Sequence, residues 1–151
     1  MYNVTQESER RVWRKNGRLH RDNFKPAIVF FGKDIYYLEA VRFMLNEEKD
    51  CLETVAVSYH DSSSAFSLVY NSYGNSPAKI YKNGTKEWYY MGNLHQENAP
   101  AVIYPNGDVE YWYFGYRHRN DGPAVIIGNK QYWFDSGNFI KIEIKDGSFK
   151  E

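Results

Sequence analysis

Hydrophobic and polar residues alternate along most of this chain in short runs, and turn-forming residues separate the runs. In one stretch, the apolar run at 100–104 leads into Asn106-Gly107, and a second aromatic run follows at 109–114. Asn-Gly between two such runs is a strong hairpin signal, because a type I′ turn needs positive φ at both central residues. The pattern therefore predicts two antiparallel strands joined by a tight turn.

The hairpin pattern recurs with a fixed step, since Pro77, Pro100 and Pro123 lie 23 residues apart. Each proline precedes an alanine, and an aromatic residue, a glycine and, in the clearer copies, a histidine come before it. Such a period is typical of units that bury apolar surface against their neighbours. We predict an all-β protein, an elongated single-layer antiparallel β-meander of hairpin repeats in one domain spanning 1–151. The predicted units are about 10–38, 71–92, 93–115 and 116–137.

The period is lost between 39 and 70, which predicts an insertion or a decayed repeat. Residues 39–49 contain good helix formers, with Val41, Met44 and Leu45 forming an apolar stripe, and predict a short helix. Residues 52–59 and 65–70 predict strands around a polar turn. Residues 139–145 alternate cleanly and predict a capping strand at the C-terminal edge of the sheet.

Composition narrows the possible partners and compartments. Lys and Arg number 19, and Asp and Glu also number 19, so attraction to nucleic acid or an anionic membrane would have to be local. A single cysteine, Cys51, allows no intramolecular disulfide and favours a reducing compartment, where it is expected to be a buried small residue. No apolar run has the length of a signal peptide core or a membrane span. We expect a cytoplasmic protein without a transmembrane segment.

The stretch from Tyr90 through Tyr104-Pro105-Asn106-Gly107-Asp108 to Tyr111 resembles the MORN repeat in period and turn residues. The resemblance covers roughly 10–38 and 71–140. It departs where Trp112 replaces the usual glycine and where Pro-Ala replaces the usual Gly-x-Gly. The resemblance implies an elongated, curved sheet used as a scaffold, sometimes for phospholipid contact, and no enzymatic activity. The His…Pro-Ala form is similar to variant repeats common in giant viruses and large phages, which suggests a viral source.

Aromatic residues are the first candidates for a binding site. They make up 18% of the chain, and one short helix cannot cover both faces of a one-layer sheet, so one face is expected to stay open as a ring-lined groove. A partner protein or a second copy, forming a homodimer, could cover it. The alternative is that the rings only stack on one another. The candidate partner-binding residues are Trp88, Tyr111, Trp112, Tyr113 and Trp133.

The N-terminal unit forms a second candidate site because it is locally basic and contains Trp13. Interleaved arginine and tryptophan suit an anionic lipid head group or a nucleotide base and phosphate. The alternative is a solvated edge whose charges deter strand aggregation. The candidate anionic-ligand residues are Arg10, Arg11, Arg14, Lys15, Arg18 and Arg21.

Histidines form the third candidate group. His20, His95 and His118 recur in register with acidic neighbours, but equivalent positions in stacked hairpins lie about 10 Å apart. That spacing argues against a shared metal ion and favours imidazoles that hydrogen-bond neighbouring backbone. His60 lies beside Asp61 and three serines, so a hydrolase site is conceivable, although no nucleophile elbow or oxyanion device accompanies it. We expect no metal and no cofactor.

These observations favour a non-enzymatic protein–protein interaction or assembly module. If the source is viral, the partner would be a host or virion component met in the host cytoplasm. The alternative is a binding module for an anionic ligand such as a phosphoinositide, nucleotide or oligonucleotide. The second alternative is a hydrolase that uses the segment around His60.

Overall fold

The computed structural model describes residues 1–30, 33–38, 41–54, 56–59 and 66–146. This part of the chain consists of strands and turns and contains no helix, which confirms the all-β prediction. It also contains no helical segment of the length and apolar character that crossing a bilayer requires. The strands are β1 (Tyr2–Glu7), β2 (Arg10–Lys15), β3 (Arg18–Leu19), β4 (Ile28–Phe30), β5 (Lys33–Leu38), β6 (Val41–Asn46), β7 (Cys51–Glu53), β8 (Ala56–Tyr59), β9 (Phe66–Val69), β10 (Lys79–Tyr81), β11 (Lys86–Glu87), β12 (Tyr89–Tyr90), β13 (Asn93–Leu94), β14 (Val102–Ile103), β15 (Val109–Glu110), β16 (Trp112–Tyr113), β17 (Tyr116–Arg117), β18 (Val125–Ile127), β19 (Lys130–Asp135) and β20 (Asn138–Ile144).

One antiparallel sheet of 14 strands, the main sheet, runs through the described residues in the order β1-β2-β4-β5-β6-β7-β10-β11-β14-β15-β18-β19-β20, with β3 paired to β2. Strands that follow one another in the sequence are neighbours in space, as a meander requires. At about 4.8 Å per strand, the ribbon extends over about 60 Å. The predicted antiparallel β-meander is confirmed.

Three two-stranded sheets lie off this path, and we call them the side hairpins. They are formed by β8 with β9, β12 with β13 and β16 with β17. The sequence pattern instead predicts that 109–114 is one uninterrupted strand. Tyr111 marks the break, because its N–H donates to Ala124 O at 2.6 Å while its carbonyl accepts from His118 N at 3.2 Å. The chain therefore changes partners there and leaves the main sheet.

The predicted type I′ turns at the Asn-Gly pairs are wrong in detail. Gly107 has φ +92°, but Asn106 is not among the residues with positive φ, so each loop is a type I turn followed by a glycine bulge. Pro105 could have indicated this, since its fixed φ suits the second position of a type I turn, whereas at the first position of a type I′ hairpin turn it lacks the N–H that pairs with the facing strand. The Asn106 side chain completes the loop by accepting from Asp108 N at 3.0 Å.

The predicted helix at 39–49 is also wrong, since Val41–Asn46 forms strand β6 between β5 and β7. Phe43 is 2% exposed and packs in the core cluster with Tyr36 and Leu52. Helix propensities differ by only a few tenths of a kcal/mol per residue. Burial of Phe43 and pairing along both sides of β6 outweigh them.

The predicted strands at 52–59 and 65–70 are present, but the first is divided into two. Strand β7, which begins at Cys51, belongs to the main sheet, whereas β8 pairs with β9 in a side hairpin. The predicted turn at 60–64 lies outside the described residues. Thr54 N donates to Ala78 O at 2.8 Å, as Trp88 N does to Ala101 O. This shared bond favours a decayed repeat over an unrelated insertion.

The two edges of the main sheet are β20, as predicted, and β1. The sequence pattern does not predict β1 as a strand. Because β1 pairs with β2 along all six residues from Tyr2↔Lys15 to Glu7↔Arg10, the basic strand β2 is the second strand and not the edge. The alternative that the basic residues form a charged outer edge of the sheet is therefore wrong for those on β2.

Candidate protein-binding surface

Histidine side chains connect the loop after one hairpin to the turn of the next hairpin. The Nδ1 atom of His95 accepts from Phe114 N at 3.2 Å, and that of His118 accepts from Ser136 N at 3.2 Å. Asn71 takes the same place one unit earlier, where its Oδ1 accepts from Met91 N at 3.1 Å. The prediction that these imidazoles hydrogen-bond neighbouring backbone is confirmed for His95 and His118.

The residues bound in this way begin the tight turns of the side hairpins. Met91 has φ 47° and Phe114 has φ 44°, and a glycine with positive φ follows each of them. Asn16 takes the equivalent position in the first unit at φ 51°. Asparagine tolerates this left-handed region, whereas methionine and phenylalanine adopt it at a cost.

Large apolar and aromatic side chains are exposed along the side hairpins, and we call this set the ridge. Each member is between 43 and 60% exposed. The ring of Phe114 lies edge-on to Tyr90 at 5.8 Å and to Tyr113 at 4.7 Å and stacks on His95 at 4.3 Å. The ridge residues are Tyr90, Met91, Tyr113, Phe114 and Tyr116.

Two equivalent grooves lie beside the ridge. The first has a volume of about 360 Å³ and lies between the loops at 96–98 and 118–121, with Tyr111, Trp112 and Tyr113 along its wall. The second, of about 410 Å³, has Trp88, Tyr89 and Tyr90 in the matching places. Gln96 and Glu97 line both grooves, so the sequence repeat produces two similar open grooves side by side.

The structure separates the five predicted partner-binding residues. Tyr111, Trp112 and Tyr113 come together in the first groove. Trp88 is 8% exposed and donates Nε1 to Asn75 O at 3.2 Å, so its ring belongs to the interior. Trp133 lies apart on β19, with Lys141 Nζ 4.5 Å from its ring centre.

The sequence pattern does not identify four of the ridge residues, Tyr90, Met91, Phe114 and Tyr116. Met91 and Phe114 carry a local signal, because each is an apolar residue directly before a turn glycine. The pattern predicts instead that the second strand continues in the sheet, where alternate residues are half-buried.

The buried carboxylate of Glu110 holds Trp112, one of the residues that line the first groove. Glu110 accepts from Tyr104 OH at 3.0 Å, Trp112 Nε1 at 2.9 Å and Arg117 Nε at 3.3 Å. Burial, followed by the charge and hydrogen bond of Glu110, raises the pKa of Tyr104 to about 12. The bond from Trp112 fixes the orientation of its indole at the groove wall.

Arginines brace the loops of two units in the same way. Arg119 lies 4.0 Å from the Tyr111 ring centre and donates to Pro123 O at 3.4 Å. Arg21 lies 3.9 Å from the Trp13 ring centre and donates to Pro26 O at 3.1 Å. Arg21 is thus occupied by packing within its own unit.

The remaining basic candidates are also compensated in part. Glu7 of β1 accepts from Arg10 at 2.9 Å and from Arg14 at 2.6 Å. Lys15 contacts Asp22 at 3.4 Å, and hydrogen bonds from Tyr2 and His20 lower the pKa of Asp22 to about 2. Arg11 and Arg18 are exposed on β2 and β3. Acidic residues outside the basic run therefore weaken the positive field that the sequence predicts.

The remaining candidate sites are the Cys51 thiol, a shared metal site and the segment around His60. The thiol of Cys51 is fully buried and donates to Glu53 at 3.2 Å, as expected for a structural cysteine. Among the residues with described positions, no three His, Cys, Asp or Glu side chains converge as a metal site would need. His60 and its serine neighbours lie outside the described residues, so the hydrolase alternative remains a hypothesis.

Comparison with known proteins gives no relative: no family model matches the chain, and no match was found among curated proteins or solved structures. The resemblance to MORN repeats thus depends on period and turn residues alone and stays a prediction.

Proposed function

We propose that the protein is a non-enzymatic interaction module that binds a partner protein through the ridge and its two grooves. The observation that carries this proposal is the exposure of Met91 and Phe114 at turn positions with positive φ. Local turn energetics would favour asparagine there, as at Asn16. Strained, exposed apolar residues of this kind often mark sites of recognition.

The spacing of the ridge supports an extended partner segment. Tyr90 and Tyr113 hold equivalent places in units that lie two strands apart, which is about 10 Å. A segment in the polyproline II conformation advances about 3.1 Å per residue with three residues per turn, so side chains three residues apart share one face and lie about 9 Å apart. A partner segment of this kind with apolar side chains three residues apart would place one in each groove, and the polar residues Gln96 and Glu97 between the grooves could bond its backbone.

Selection from a display library of random peptides, followed by calorimetry on the full chain, tests the proposal. We expect peptides with an apolar residue at every third position to be enriched. Tyr113→Ala and Phe114→Asn should each weaken their binding by about tenfold, as truncated anchors do. Phe30→Ala, at the other end of the sheet, is the matched control and should leave affinity unchanged.

Binding should vary little between about 50 and 500 mM salt, since apolar contacts are not screened. The proposal would be overturned if both ridge substitutions left the affinity for the selected peptides unchanged, or if the library yielded no binder. Salt-sensitive binding to phosphoinositide vesicles that is lost when Arg10, Arg11 and Arg14 are replaced together would support the anionic-ligand alternative. Hydrolytic turnover lost in His60→Ala would support the enzyme.

A further inference from the structure

The outer side of β20 has no strand partner among the residues that the structure describes. Apolar side chains along this strand are between 45 and 59% exposed. An exposed apolar edge of this kind is a template for pairing with another strand. The exposed residues are Phe139, Ile140, Ile142 and Ile144.

The backbone shows which groups point outward. Lys145 N donates to Asn129 O at 2.8 Å, and Tyr132 O accepts from Ala124 N on the other side of β19. Hydrogen-bonded pairs alternate along an antiparallel ladder, so Lys141 and Glu143 direct their backbone groups at β19. Ile142 and Ile144 direct theirs at the open edge.

We propose that a second copy of this chain pairs with β20, antiparallel, about a two-fold axis at Ile142. In this register the Ile142 residues of the two copies exchange backbone hydrogen bonds. Lys141 lies opposite Glu143 of the second copy, and Glu143 lies opposite its Lys141. The segment 140–144 therefore reads as a charge-complementary palindrome, in which Ile144 lies opposite Ile140 at the bulge of β20.

Charge selects this register over its neighbours. An axis at Lys141 would place two lysines opposite each other, and an axis at Glu143 would place two glutamates opposite each other. These are non-hydrogen-bonded pairs, in which the side chains approach most closely. Like charges directly opposite destabilise a strand pair, whereas opposite charges stabilise it.

Pairing of β20 with β1 of another copy fits less well. The β1 sequence, Tyr2–Glu7, is largely polar, and head-to-tail pairing would continue without limit, whereas a two-fold contact closes at two copies. The bulge opposite Trp133 and Phe134 limits the regular ladder to about the last four residues of β20. The contact is therefore short, and the dimer should be weak.

Sedimentation equilibrium on the full chain, between about 5 and 500 µM, tests this pairing. We expect a monomer–dimer equilibrium. Lys141→Glu alone or Glu143→Lys alone should raise the dissociation constant by at least about tenfold, because each creates two like-charge pairs. The double variant should restore the dimer, since the exchanged charges are complementary again. Lys86→Glu, an exposed reversal elsewhere in the main sheet, is the control.

Circular dichroism and urea unfolding should show that all four variants fold like the parent. A parent that stays monomeric over the whole range would overturn the proposal, as would a double variant that dissociates like the single ones. Oligomers that keep growing with concentration would indicate pairing with β1. A dimer that is lost in Tyr113→Ala but kept in Lys141→Glu and in Glu143→Lys would also overturn the proposal, because the contact would then lie on the ridge.

Discussion

His95 accepts a hydrogen bond from the backbone N–H of Phe114 at 3.2 Å, and the two rings stack with their centres 4.3 Å apart. The contact joins the loop that follows the side hairpin β12–β13 to the turn of the side hairpin β16–β17. Because Nδ1 is the acceptor, the bond requires that nitrogen to carry no proton. Burial lowers the pKa of His95, which favours the neutral form.

The His95 contact predicts that stability depends on pH in the mildly acidic range. In the unfolded chain His95 takes up a proton near its ordinary pKa of 6.5, whereas the folded protein resists protonation until lower pH. Stability is therefore complete above about pH 6.5 and falls as the pH drops below it. Urea unfolding at a series of pH values measures this slope.

His95→Asn is the matched variant, because Asn71 makes the equivalent bond in the preceding unit. It should keep an acceptor for Phe114 N and reduce the pH dependence. An unchanged slope in this variant would contradict the assignment. His95→Ala should cost about 1 to 2 kcal/mol at neutral pH from the lost hydrogen bond and ring contact.

Phe114→Asn should change the free energy of unfolding by less than about 1 kcal/mol. The lost ring contacts cost about 0.5 to 1.5 kcal/mol, and relief of the left-handed strain returns a similar amount. Urea unfolding gives the net value. A loss of several kcal/mol would mean that the ridge is part of the core, and the proposed binding role would lose its basis.

Trp88→Ala should destabilise the protein by about 3 to 5 kcal/mol, as truncation of a buried tryptophan does. Its indole is 8% exposed, so the defect is one of folding. Tyr113→Ala, at an exposed ring, should cost much less. Urea unfolding of the two variants tests whether Trp88 is structural and Tyr113 is not. Equal shifts of the two unfolding midpoints would contradict this difference.

Glu110→Gln should cost about 1 to 3 kcal/mol, because the buried carboxylate accepts bonds from three donors and an amide replaces one acceptor by a donor. The same change removes the charge that helps to raise the pKa of Tyr104. Spectrophotometric titration of the tyrosines should therefore detect a group that moves down from about 12. Lys86→Gln, at an exposed position on β11, two strands away from Glu110, should leave the titration unchanged.

Cys51 should make stability fall in strongly basic solution. Burial and the neighbouring Glu53 raise the pKa of its thiol from 9.0 to about 12. The unfolded chain loses this proton at lower pH than the folded chain, so the contribution is present below pH 9 and is lost between about pH 9 and 12. Cys51→Ala should reduce this loss, as measured by urea unfolding at each pH.

Reactivity toward a disulfide reagent tests the same burial independently. The native thiol should react at the rate at which the protein opens, and urea should accelerate the reaction strongly. Fast labelling of the folded protein at neutral pH would contradict a buried structural role for Cys51.

Local information is sufficient for some elements of this fold. The alternation of apolar and polar residues at 139–145 predicts an edge strand by itself, and the structure has that strand at Asn138–Ile144. The loop at Pro105 contained enough local information to identify its turn, although the Asn-Gly pair alone suggested another type. The strand Val41–Asn46 was missed because its residues also fit a helical stripe, and the partners that decide between the two patterns are distant in the sequence.

The sequence by itself determined the repeat period, the positions of the turns and the all-β class, because alternation and the backbone preferences of glycine, asparagine and proline act over a few residues. Only the tertiary structure decided that the chain leaves the main sheet at Trp88 and Tyr111. It does so because their N–H groups bond to alanines of the following unit while their carbonyls accept from the N–H groups of His95 and His118 beyond the side hairpins. The ridge depends on that departure, since it carries Tyr113 and Phe114 away from the sheet and into solvent.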